Sequence, residues 1–173
     1  MIEGKLVQLR AVEKEDLKQL RDWRNAPEIK KFTREYRELS MQNQLQWLES
    51  LAKDKNTIMF AVETKDEKLI GCTGLTYIDW KNHNAEISIY IGDKKYREKG
   101  HGTDIMKTLM NYAFDELNLH MLFGEIFEYN KANVRLFEKC GFKKDGVFRD
   151  RLYRDGKYWN SFIYSILRGE WRG

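Results

Sequence analysis

The stretch Arg97-Glu98-Lys99-Gly100-His101-Gly102 constrains this chain more than any other. Two glycines stand one residue apart, and a helical pattern follows at once. Ile105, Leu109 and Ala113 fall on one stripe, with Met106, Met110, Phe114 and Leu117 beside it, so a helix is predicted to about residue 118. The first turn of a helix leaves backbone N–H groups without partners, and the helix dipole adds partial positive charge there. Glycine lets a ligand come close to the backbone, and Arg97 and Lys99 add charge. Such a turn suits phosphate or pyrophosphate, although a plain tight turn would use glycine equally well. A Walker loop, GxxxxGK(S/T), is absent. A dinucleotide fingerprint needs three glycines near the first strand of a βαβ unit, and this motif has two, late in the chain.

The 173 residues are read as one domain, 1–173, large enough to bury a core. A single proline argues against long linkers. The net charge of +4 is spread along the chain, a mild bias toward anionic ligands without the concentrated basic face that nucleic acid asks for. Cys72 and Cys140 stand apart, as do His83, His101 and His120. No metal site is expected, and the thiols are read as reduced and buried in a cytoplasmic protein. No apolar run approaches the roughly 18 residues of a membrane span, so no membrane partner is expected.

Strands are predicted at 5–12, 57–64, 69–78, 84–92, 120–128, 142–150 and 157–167. Helices are predicted at 13–26, closed by Pro27, at 40–53 with Ser40 as N-cap, at the glycine motif, and at 131–140 ended by Gly141. The order β-α-α-β-β-β-α-β-α-β-β mixes hairpins with helical crossovers. The fold class is therefore α+β, a mixed α/β sheet.

The motif resembles the R/Q-x-x-G-x-G/A signature of the GNAT superfamily of acetyl-CoA-dependent N-acetyltransferases. Asn130-Lys-Ala-Asn133-Val-Arg-Leu-Phe137, followed by Gly141-Phe142, is similar to the family's second signature, and the element order is the family's order. The resemblance implies a GNAT fold: one central, mostly antiparallel sheet of about seven strands with a splayed central pair, flanked by about four helices. It implies that the amides of Glu98, Lys99, Gly100, His101, Gly102 and Thr103, with Arg97, hold the pyrophosphate of coenzyme A. It implies that the strand around Ile89 and Ile91 pairs with the pantetheine arm, and that Asn130, Asn133 and Phe137 adjoin the cofactor. Asn130 also reads as a helix N-cap.

Acyl transfer to an amine needs a base to take the amine's proton. Glu86 interrupts an apolar strand. Period two puts it on one sheet face with Ser88 and Tyr90, and Ile87, Ile89 and Ile91 on the other. The family often has its base at this position, so Glu86 is the first candidate, with Glu125 and Glu128 behind it. Phe137 stands where many relatives have a tyrosine that protonates the leaving thiolate. Tyr129 or Tyr90 is the nearest substitute.

The segment 23–37 is aromatic and basic, and Trp23, Arg34 and Tyr36 read as a pocket for a ring bearing negative charge. The first expectation for the acceptor is therefore a small-molecule amine of the nucleotide-linked amino-sugar kind. The alternatives are a ribosomal-protein N-terminus, a polyamine or another small amine, or a module that binds acetyl-CoA without turnover. A homodimer is compatible with the resemblance.

Overall fold

A computed structural model describes residues 1–173. Eight strands form one sheet: β1 (Ile2–Glu3), β2 (Val7–Ala11), β3 (Ile58–Thr64), β4 (Leu69–Asp79), β5 (Asn84–Ile91), β6 (Met121–Phe127), β7 (Lys143–Arg154) and β8 (Lys157–Leu167). They lie in the order β1-β2-β3-β4-β5-β6-β8-β7. All neighbours run antiparallel except β5 and β6, which are parallel. The strand count exceeds the expected seven because the chain start pairs with β2 through Ile2 and Glu3. Helices α1 (Leu17–Asn25), α2 (Pro27–Lys30) and α3 (Met41–Leu51) precede β3; α4 (His101–Asn111) precedes β6, and α5 (Lys131–Lys139) precedes β7.

The two sheet faces carry separate apolar layers. On one, Ile105, Met106, Leu109, Met110 and Phe114 pack with Ala85, Ile87, Leu122 and Phe137. On the other, Leu17 and Leu20 of α1 pack with Val12, Ala61 and Cys72, flanked by Leu45 and Leu48 of α3 and by Tyr90. Period two along β5 produces this division. Fully burying each large side chain contributes about 1.5–3 kcal/mol, so the stripe on α4 fixes the helix, and with it the glycine turn, to the sheet.

One expectation on the helix ends holds and one is corrected. Pro27 closes the first helix as expected: α1 ends at Asn25, Ala26 turns extended before the proline, and Pro27 then opens the short α2. Proline has no N–H to lose and a preset φ, which suits a first helical turn. The motif helix is α-helical only to Asn111, and a wider π turn spans Tyr112–Glu116. That extra residue per turn still keeps Ala113 and Phe114 in the core.

The N-terminal loop is tied to the start of α4. Backbone N–H groups of Lys5, Leu6 and Val7 donate to the Asp104 carboxylate at 3.1, 2.7 and 3.0 Å.

Candidate active site

β5 and β6 pair over three rungs only: Asn84 with Met121, Ala85 with Leu122, and Glu86 with Phe123. Beyond these β5 stays with β4 as far as Ile91 and β6 stays with β8 as far as Phe127. The two inner strands therefore part, and their facing backbone groups line a fork. Gly124 is required at its base, since a Cβ there would lie 2.5 Å from Phe137 Cε1. A cavity of about 940 Å³ runs along the fork.

At one end of the cavity is the glycine turn. Glu98 has φ 59° and Gly100 has φ 87°, both left-handed. These reversals aim the chain into α4. No protein acceptor takes the backbone N–H of residues 98–103, and Glu98, Gly100, Gly102 and Thr103 line the cavity. The turn is held by Arg97, whose Nε and Nη2 donate to the carbonyls of Ile91 and Gly92, both at 2.9 Å. Arg135 and Lys139 of α5 line the cavity too. Unpartnered amides at a helix start, with cations beside them, form an anion seat.

At the opposite end Glu86 sits at the crotch of the fork. Its Oε1 accepts from the Glu125 N–H at 3.4 Å, across the point where the strands separate. Arg34 grips the same carboxylate in a two-toothed pair, Nη1 to Oε2 at 3.0 Å and Nη2 to Oε1 at 2.5 Å, and reaches Glu125 Oε2 at 3.0 Å. The carboxylates are nearly buried, at 7% and 8% side-chain exposure, whereas Arg34 is 47% exposed. Ser161 Oγ donates to Glu125 at 2.6 Å, and Arg151 adds an ion pair at 3.2 Å. Burial alone would raise the Glu125 pKa, but the Ser161 hydroxyl and Arg34 outweigh it and hold the carboxyl below its usual range.

This end of the cavity is also lined by Phe32, Glu35, Trp47, Asp54 and Tyr77. Arg37 holds the Glu35 carboxyl down to about 2. The Thr57 hydroxyl and the Asn56 N–H lower that of Asp54. Both are anions at neutral pH.

The cavity gathers most of the residues singled out in the sequence: Glu86, Ile89, Ile91, Arg97, Glu98, Gly100, Gly102, Thr103, Asn130, Asn133, Phe137 and Arg34. Asn130 serves as N-cap of α5, its Oδ1 accepting from the Asn133 N–H at 3.2 Å. Lys99 and His101 contribute backbone to the turn, but their side chains do not line the cavity; the His101 ring packs edge-on to Tyr96.

Four readings need correction. Trp23 packs against the backbone of Gly92, where a Cβ would come within 1.9 Å of the indole, and it lies outside the cavity. Tyr36 is 75% exposed and lines a separate small cavity with Arg151, Tyr153 and Arg154. Tyr129 donates its hydroxyl to the Lys31 carbonyl at 2.6 Å, and its ring packs on Phe127 and Trp159, away from the fork. Glu128 is occupied by the backbone N–H of Asn160 at 2.8 Å. With Trp23 and Tyr36 elsewhere and Arg34 committed to two internal carboxylates, the pocket for an anionic ring is not assembled. Glu35 and Asp54 were not singled out from the sequence; Asp54 only follows the predicted helix at 40–53, and Glu35 lies within the segment 23–37 that was read as basic.

An open fork over an amide cradle, with a carboxylate at its base, defines a transferase that takes its acyl group from a coenzyme A thioester. The family profile described as acetyltransferase (GNAT) domain matches residues 9–163, and the chain belongs to that family. It is an acetyl-CoA-dependent N-acetyltransferase. A spermidine N(1)-acetyltransferase of Vibrio cholerae is 27% identical over 163 residues, 94% of each chain. The uncharacterized N-acetyltransferase YoaA of Bacillus subtilis is 31% identical over 125 residues, 72% of this chain and 70% of its own. The crystal structure of spermidine N-acetyltransferase from Vibrio cholerae in complex with CoA and spermine superposes with a TM-score of 0.91 at 26% identity, covering 96% of this chain and 98% of the other. No helix is long and apolar enough to cross a membrane.

Proposed function

We propose that this acetyltransferase moves an acetyl group to a primary amine of a polyamine by direct transfer. The observation that carries the reading is the charge of the acceptor end. Glu35, Asp54, Glu86 and Glu125 line it, and of the nearby cations Arg34 is shared between Glu86 and Glu125, Arg151 pairs with Glu125 and Arg37 pairs with Glu35. A chain bearing several ammonium groups matches these carboxylates; a nucleotide phosphate would meet them as like charges. The likeness to spermidine N-acetyltransferases supports the same reading. The nucleotide-sugar expectation is therefore set aside.

The residues divide the work by position. Amides 98–103, with Arg97, Arg135 and Lys139, are suited to the phosphates. Gly102 fits that role, since the protein leaves room there for a side chain. The backbone of β5 at Ile89 is unpaired with β6 and is suited to the pantetheine arm, while the Ile91 carbonyl is taken by Arg97. Bound acetyl-CoA supplies the thioester as acyl donor. Glu86 takes the amine's proton, directly or through water. Phe137 has no proton to give, and its ring fills the space over Gly124.

A second reading rests on Arg24. Its guanidinium lies over the Tyr90 ring at 5.9 Å, on the cavity wall, and its buried Nε has no partner. An acceptor with a carbonyl beside its amine, as at a peptide N-terminus, would give it one.

Release of coenzyme A thiol from acetyl-CoA decides between them. Spermidine and spermine are expected to turn over fastest, ahead of a UDP-linked amino sugar and an Ala-starting peptide. A clear preference for the peptide or the sugar would reject the polyamine reading.

A further inference from the structure

The geometry points to Arg34 as an internal stand-in for the acceptor's ammonium: the amine takes its seat on Glu86 and Glu125 by displacing the guanidinium. The inference deepens the polyamine reading and rests on its premise that the acceptor arrives as a cation.

Arg34 takes one acceptor site on each oxygen of Glu86, and Oε1 accepts in addition from the Glu125 N–H. Three of the carboxylate's four acceptor sites are taken, and one on Oε2 is left for an incoming amine. For an ammonium to sit as Arg34 does, against both oxygens of Glu86 and against Glu125, Arg34 must leave. Yet two carboxylates this buried and this close are costly without a cation. Arg151 reaches Glu125 alone, so Glu86 needs one cation or the other, and an ammonium offers the same kind of N–H donors as a guanidinium.

Arg34 is built to leave. It is half exposed, and it belongs to residues 31–40, a connection between α2 and α3 with neither helix nor strand. The ends of that connection are fastened. Arg154 donates to the carbonyls of Lys30 and Thr33 at 3.1 and 3.0 Å, and Asn25 is bonded to both the N–H and the carbonyl of Leu39. The side chain can therefore swing out while the backbone stays put. The smaller cavity, about 250 Å³, lies on its other side and shares Arg34 and Glu125 as walls.

The consequence is selectivity. The apparent affinity of any amine is divided by the fraction of molecules in which the seat is open. An amine with further ammonium groups, able to engage Glu35 and Asp54, meets that requirement better than a monoamine.

The test is Arg34→Gln, assayed with spermidine and with a monoamine of similar length. Removing the competitor is expected to lower KM by about tenfold for both, roughly 1.4 kcal/mol, and to narrow the gap between them. Acetyl-CoA affinity should not change. Methylguanidinium should then inhibit Arg34→Gln competitively against the amine, and the unsubstituted enzyme much less. If KM rises or stays level, or kcat collapses while KM is unchanged, Arg34 orients Glu86 and the inference is overturned. Should Arg34→Gln fail to fold, Arg34→Lys keeps the charge but not the two-toothed grip, and a smaller fall in KM is expected; a rise overturns the inference. If neither protein accepts polyamines, the polyamine reading fails on its own. The KM comparison then runs with whichever amine is acetylated, since any ammonium must take the same seat.

Discussion

A side chain at Gly102 would find its nearest neighbour, Leu136 Cδ2, at 3.7 Å from its Cβ. That is ordinary contact, and Gly102 has no positive φ. Gly100 differs: its φ of 87° is a conformation that glycine adopts without penalty. The two glycines of the motif are thus there for different reasons, one for the chain and one for what the chain holds.

Gly102→Val should accordingly fold and melt at or above the temperature of the parent, because valine is the better helix residue. Its affinity for acetyl-CoA should fall by at least about tenfold, roughly 1.4 kcal/mol. Calorimetry that finds a folded variant with unaltered affinity would remove the phosphates from the turn.

Glu86→Gln keeps the shape at the crotch of the fork and removes the proton acceptor. Turnover near neutral pH should fall about 10²-fold or more, with acetyl-CoA binding intact. The deficit should shrink as pH approaches the amine's own pKa, about 10, where free amine is already plentiful. Wild-type turnover at neutral pH would reassign Glu86 to structure.

Tyr129→Phe should leave kcat close to that of the parent, since the hydroxyl is spent on the Lys31 carbonyl. Stability should fall by about 0.5–1.5 kcal/mol, the usual net value of such a hydrogen bond. A loss of kcat by an order of magnitude or more, without a change in melting, would restore Tyr129 as a proton donor.

Asp16 accepts from Arg10 at 2.7 and 2.9 Å and from the Glu13 N–H at 2.8 Å. Burial would raise its pKa, but these contacts hold it below the usual 3.8. The sign follows: its contribution is complete above 3.8 and is lost as pH falls through the lower, folded value. Asp16→Asn should cost about 1–3 kcal/mol at neutral pH and flatten the fall in melting temperature on acidification. Parallel melting curves for the two proteins across that range would contradict this.

The parts of the molecule that were legible in the sequence are those governed by local spacing. Period two along β5 separated Glu86 and Tyr90 from Ile87 and Ile89. The strands predicted at 142–150 and 157–167 form the last hairpin, turned at Asp155 and Gly156, which both take positive φ. The stripe on α4 was readable because its residues lie three and four apart. What escaped was set by partners distant in the chain. Arg34 looked like a free cation because the carboxylates that claim it lie 52 and 91 residues on. Trp23 looked like a substrate platform because Gly92, the surface it covers, has no side chain to advertise itself. Tyr129 read as a donor toward the fork until its hydroxyl met the carbonyl of Lys31.

The parting of β5 from β6 leaves two strands inside a sheet with open edges facing each other. Pairing from one side is complete on each, through β4 and β8. A ligand that pairs with those edges adds to the sheet what a ninth strand would add. Folding and nutrition are then linked by mass action: at a free acetyl-CoA level of 100 times its dissociation constant, the native state gains about 2.7 kcal/mol. A cell poor in acetyl units would hold a more easily unfolded, shorter-lived enzyme, and one rich in them a longer-lived stock. The supply of the donor would set how much catalyst persists as well as how fast it runs.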